Sequence, residues 1–175
     1  MVELPKGFLM RSDPKKGGKP RWKVAMFDVG PREHLHLVLL NKDFDWFDMH
    51  WGGRFHVPCT RKLGVCAECK KHKPFKPEGY ISAMPVGGGA VGILHVTYHM
   101  HVNENRFRQR GNLRGVEIEV WRGGDSYKSR RYIRVQGETP HILALPTALD
   151  VERFIEQMYS GTVIDGLPLR EEVPA

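Results

Sequence analysis

Cysteine is scarce in this chain and confined to one place. Its three copies, Cys59, Cys66 and Cys69, fall in a single short segment, so a disulfide framework of the kind that staples small secreted domains is excluded. Long apolar runs are missing as well. Nothing approaches the ~20 residues that cross a bilayer, and Met1 to Pro20 has no hydrophobic centre of the kind a secretory leader carries. These absences predict a cytoplasmic protein with no membrane partner. Acids are thin over two stretches. Between Arg54 and Lys76 seven Lys or Arg face only Glu68, and between Arg106 and Arg134 nine face Glu117, Glu119 and Asp125. From Glu138 onward seven acids face Arg153 and Arg170, so a net charge of +7 is spread unevenly and predicts a polyanion-binding face. Asp43, Asp45 and Asp48 are the only tight acidic set, and their aromatic neighbours read as a solvated turn. No Mg2+-holding carboxylate cluster is therefore expected, and with it no catalytic residue, no enzyme activity and no small-molecule substrate. Gly87 to Gly89 lack the Gly-Lys-Ser/Thr ending and following helix of a phosphate loop, which excludes a nucleotide site.

What is present is concentrated between His50 and His72, in HWGGRFHVPCTRKLGVCAECKKH. Cys66 and Cys69 form a Cys-x2-Cys turn, Cys59 precedes them, and His50, His56 and His72 flank the set. Zinc takes four soft or borderline ligands in a tetrahedron, and three thiolates with one imidazole close that shell without leaving a position for water. The segment is thus read as holding one structural Zn2+. A redox dithiol would open a long helix, which Pro74 and Pro77 forbid. Two histidines compete for the fourth position: His56 makes a His-x2-Cys pair with Cys59, and His50 precedes the flexible Gly52-Gly53. His72 belongs to a solvated lysine run.

Along the chain, residues 1–20 read as a flexible basic arm, 21–160 as one domain with the zinc loop at 50–72, and 161–175 as a tail. RWKVAMFDV, HLHLVLL, GYISAMPV and VGILHVTYHM alternate at strand period. VEIEVW and RRYIRVQ, joined around Gly123-Gly124-Asp125, read as a hairpin. HVNENRFRQRGNLRG reads as a short arginine-rich helix or turn. TALDVERFIEQMYSG predicts an amphipathic helix capped at Thr147. Short strands with few helices predict a mainly β fold: a small OB-like antiparallel barrel with an inserted zinc-binding loop and a C-terminal helix.

Cations and flat side chains are interleaved, and those are the two things a single nucleic-acid strand requires. Lys23 lies beside Trp22; Arg106, Phe107, Arg108 and Arg110 form one cluster; Lys128 follows Tyr127; Arg54, Lys62, Lys70 and Lys71 surround the cysteines. Any one such pair is more often core with a snorkelling arginine. The hairpin is the exception. With Ile118, Val120, Ile133 and Val135 facing the core, alternation sends Trp121, Arg130, Tyr132 and Arg134 to the opposite face, and Arg122 is counted with them as a contact.

The run from Val24 through Cys69 resembles the zinc-containing core of the single-stranded DNA-binding, helix-destabilising proteins of T-even-like phages. There a strand pair leads to a His, then an aromatic-rich strand ending in Cys, then a loop and Cys-x2-Cys. The matching elements are KVAMF, HLHLVLLN, His50 in MHWGG, RFHVPC with Cys59, and VCAEC with Cys66 and Cys69. The resemblance rests on the His/Cys order. It implies His50 as fourth ligand, single-stranded DNA as partner, and a phage or mobile-element protein working beside replication or recombination proteins. Here the gaps between ligands are shorter, and the acidic tail shrinks to Glu171 and Glu172, so recruitment through a tail is not implied. An RNA- or duplex-binding zinc protein, or an adaptor subunit of a nucleoprotein complex using Trp46 or Trp51, is the alternative reading.

Overall fold

The computed structural model describes residues 8–9, 25–51, 56–59, 61, 64, 66–72, 74–97, 100, 111–126 and 128–160. The chain is mainly β, with strands β1 (Phe8–Leu9), β2 (Ala25–Phe27), β3 (His34–Leu39), β4 (Asp45–Trp51) and β5 (His56–Pro58) before a short helix α1 (Ala67–Lys70). Strands β6 (Phe75–Pro85), β7 (Gly92–Thr97), β8 (Val116–Arg122) and β9 (Arg131–Glu138) follow. A 3-10 turn (Ile142–Ala144) and helix α2 (Val151–Ser160) complete the described elements. Among the described residues no helix is long and apolar enough to cross a membrane.

β6 is the spine. One edge pairs antiparallel with β7 from Glu78 to Ala83. The other edge is shared: β4 takes the first half, from Phe75 opposite His50 to Tyr80 opposite Asp45, and β3 takes Ala83 to Pro85. β3 and β4 thus run end to end along one neighbour, interrupted by the bulge at residues 40–44. Asn41 fills the gap in the ladder, its side-chain oxygen accepting the Ser82 amide at 2.7 Å. From there the sheet branches, with β3 continuing into β8 and β9 and β4 into β5.

Alternation divides the apolar side chains between two faces. Leu37, Leu39, Ile81, Ala83, Leu94, Val96, Val116, Ile118, Val120 and Ile133 share one core with Phe27 and Val29. The opposite face carries Met49, Tyr80 and Ile93, and α2 covers them with Val151, Phe154 and Ile155. A flat sheet in which β2 and β8 are four spacings apart would separate them by roughly 19 Å. Yet Arg122 of β8 donates through Nε to the Val29 carbonyl and lies 3.1 Å from Asp28, just past the end of β2. The sheet must therefore curl around its first core like a barrel wall. Among the described residues its ladder stays open, running from β1 to β9, and the Arg122 side chain meets Asp28 and the Val29 carbonyl across the seam. One pair, β2 with β7, is parallel.

Several details differ from the sequence reading. The strand expected at GYISAMPV begins at Phe75, because Pro77 lies just outside the stretch paired to β7 and its missing N–H costs at most one edge. Asp45 and Asp48 sit in β4 rather than in a solvated turn. The cap of α2 is Asp150, whose Oδ1 accepts the Arg153 amide at 2.9 Å, and not Thr147. Ala148 and Leu149 are buried, and the Leu149 amide donates to Ser82 Oγ at 3.0 Å, which holds the chain extended up to the cap. Within the expected arm, Phe8–Leu9 pairs with β2. The remainder of the arm, residues 101–110 and the tail lie outside the described residues.

Candidate metal centre and nucleic-acid face

His50 lies on β4 and is fully buried. β4 continues into β5 as a ribbon, and the Cys59 amide donates to the Asp48 carbonyl at 2.7 Å, which places Cys59 at the end of that ribbon. Cys66 stands at the entrance of α1 and Cys69 within it, the Lys70 amide bonding the Cys66 carbonyl and the His72 amide the Cys69 carbonyl. His72 closes the turn in the left-handed region, with φ 54°, and is exposed.

These elements bring one ligand atom from each of His50, Cys59, Cys66 and Cys69 to within 4.8 Å of one another. Cys59 Sγ lies 3.5 Å from Cys69 Sγ, and His50 Nε2 lies 3.3 Å from Cys69 Sγ. A disulfide needs about 2.05 Å. A tetrahedron on zinc–sulfur bonds of about 2.3 Å has edges of about 3.8 Å, so the spacing is that of ligands around an ion. The imidazole is already oriented. Its Nδ1 is 3.2 Å from the Pro74 carbonyl, which can only accept, so Nδ1 donates there and Nε2 is the nitrogen turned to the cluster. The Cys69 thiol is pushed up to about 11, first by its hydrogen bond with Cys59, then by burial and by Cys66. A divalent cation at the centre of the cluster would favour the thiolate and reverse that balance for Cys69. The residues present fit a metal such as zinc. His56 pairs with Trp51 on β5, and its side chain is not among those described.

The second region is the outer face of β3, β8 and β9. Register sets His34, Trp121 and Tyr132 in one cross-strand row, with His36, Glu119 and Arg134 in the next. The rings lie parallel. His34 and Trp121 are 6.2 Å apart at 6°, and Trp121 and Tyr132 are 5.4 Å apart at 18°. Arg134 lies over Trp121 at 5.5 Å and Arg130 over Tyr132 at 5.7 Å. Glu119 is the hub of the second row. It accepts from His34 Nδ1 at 2.7 Å, from Gln136 Nε2 at 2.7 Å and from Arg134. Its carboxyl is held below its ordinary range, first by the His34 bond and then by Arg134, against the opposing effect of burial.

Of the residues expected to touch a nucleic acid, Trp121, Arg130, Tyr132 and Arg134 share this face. Lys128 is exposed in the adjoining turn, and Lys70 and Lys71 are exposed beside the cysteines. Arg122 does not belong with them. It follows Trp121, so alternation turns it inward; its side chain is 7% exposed and holds the Val29 and Ser129 carbonyls and Asp28. Lys23, Arg54, Lys62, Arg106, Phe107, Arg108 and Arg110 lie outside the described residues. Sequence reasoning missed His34 as part of the ring row and Glu119 as its anchor. Pairing β3 to β8 would have exposed His34, which falls opposite Trp121, and the β8–β9 hairpin would have exposed Glu119, which falls opposite Arg134.

No family model, characterised protein or solved structure matches this chain.

Proposed function

We propose that the chain binds single-stranded DNA through the outer face of β3, β8 and β9, and that His50, Cys59, Cys66 and Cys69 hold one structural Zn2+. The observation that carries this reading is the row His34–Trp121–Tyr132, three parallel rings with guanidinium groups of Arg130 and Arg134 against them. Bases stack on such rings whatever their sequence, and cations beside them neutralise the backbone. Zinc acts as a staple in this reading, since three thiolates and an imidazole leave no open position for chemistry. The protein then works in the cytoplasm beside replication or recombination proteins, as the phage resemblance implies, and is not an enzyme.

A tryptophan-fluorescence titration with oligothymidylate and with a matched duplex tests it. Saturable quenching by the single strand, a weaker response to duplex, and affinity that falls with salt are expected. Trp121→Ala should weaken binding by about 1–3 kcal/mol while leaving the circular dichroism spectrum unchanged. Equal binding of single strand and duplex would replace this reading with a general or duplex binder. No binding of either would favour an adaptor role.

A further inference from the structure

Phe75 opens β6 directly opposite His50, and its ring meets the imidazole edge-on at 5.9 Å. It is nevertheless 39% exposed. The Arg61 guanidinium lies over the ring at 5.6 Å from its centroid. Lys70, Lys71 and His72 stand exposed on α1 and the turn that follows it, and the one acid of this segment, Glu68, meets Lys71 Nζ at 2.9 Å. A single exposed apolar side chain needs no explanation. A phenyl ring set edge-on to the buried His50, capped by a guanidinium and in a segment whose cations exceed its acids is a different arrangement.

We propose that this rim of the metal centre is a second contact for the same single strand, with Phe75 stacking a base and Arg61 and Lys70 meeting phosphates. The proposal rests on the single-strand reading and says where a further hold on that strand lies. The chemistry favours a nucleic acid over a protein. A docking protein needs a contiguous apolar patch, whereas the Arg61 guanidinium lies over the Phe75 ring and the helix that carries Cys69 exposes Lys70. A phenyl ring offers no hydrogen bond, so the contact is indifferent to base identity, as the ring row is. The rim adds cations to those the ring row supplies, Arg130 and Arg134. There Glu119 takes up Arg134 and His34, while here Glu68 stands alone against the lysines and Arg61.

The test compares Phe75→Ala, Phe75→Trp and Arg61→Ala with the wild type, using the full zinc-loaded chain, oligothymidylate as probe, and metal content measured for each variant. Phe75→Ala should weaken binding roughly 5- to 150-fold, and Phe75→Trp should retain it and add its own quenching signal. Arg61→Ala should lower the slope of log affinity against log salt by about 0.7, the signature of one lost phosphate contact on a single strand. A purely structural role would leave that slope unchanged. If Phe75→Ala sheds its metal, Arg61→Ala decides by its slope, because Arg61 is not part of the ligand cluster. Wild-type affinity and slope in both alanine variants, with Trp121→Ala still weakened, would overturn the rim contact and leave the single-strand reading standing. Failure of the wild type to bind the probe would overturn both.

Discussion

Around His50 the regular structure is short: a strand of three residues, a helix of four, and the ends of β4 and β6. Behind Trp121 there are three full strands with Ile118, Val120 and Ile133 packed beneath them. A four-residue helix cannot stand on its own hydrogen bonds, because nucleation is not offset by so short a run. The ring row needs no such help, since each of its residues is placed by strand register over a buried apolar layer. On the proposed reading one region is shaped by a metal cross-link and the other by a core. The difference teaches that two surfaces with similar chemistry can fail in quite different ways.

The largest effect should come from breaking the cross-link. Cys66→Ser should abolish stoichiometric zinc, read by metal content, and destabilise the rim by several kcal/mol, since ligand binding and local folding are one process. Hydrogen exchange should then quicken at residues 66–72 while β8 and β9 keep their protection; uniform loss across the chain would mean that the two regions do not fold separately. Next is the core beneath the ring row. Ile118→Ala, at a site with no exposure, should cost about 2–5 kcal/mol by denaturant unfolding and leave zinc content unchanged. Metal loss in this variant would erase the contrast. The smallest effect concerns Glu119. Its carboxyl is held low in the folded state, so its contribution is present above the unfolded-state value of about 4.3 and is lost as pH falls through the lowered folded value. Glu119→Gln should flatten acid unfolding in that window. It should also free Arg134 and strengthen single-strand binding a few-fold at neutral pH, and a weaker-binding variant would show that Glu119 positions the rings rather than masking charge.

Much of this was legible in the chain because it depends on local pattern. Alternation in VEIEVW and RRYIRVQ is enough to place Trp121 and Tyr132 on one face, and Cys59, Cys66 and Cys69 with a nearby histidine are enough to suggest a closed shell, though His50 and His56 compete for its fourth place on spacing alone. Arg122 shows the same rule left unused, for the alternation that sends Trp121 outward sends its neighbour in. What stayed hidden depends on pairing between distant segments. Phe75 gains its meaning from lying opposite His50, and Glu119 from the β3–β8 pairing that brings His34 to its carboxylate, and neither register is written in the spacing of either segment alone. The start of β6 was obscured by Pro77, whose usual penalty is avoided because that position has a ladder on one side only.

The division of β6 between two partners has an evolutionary consequence. Its eleven residues keep one phase from the His50 cluster to the core, so an insertion or deletion inside it would turn Phe75 away from His50 or move Ile81 and Ala83 out of their layer. Length variation among descendants of this chain should therefore collect at Gly87 to Gly89, an exposed turn with φ of 89°, 102° and 140°, while β6 drifts only by substitution.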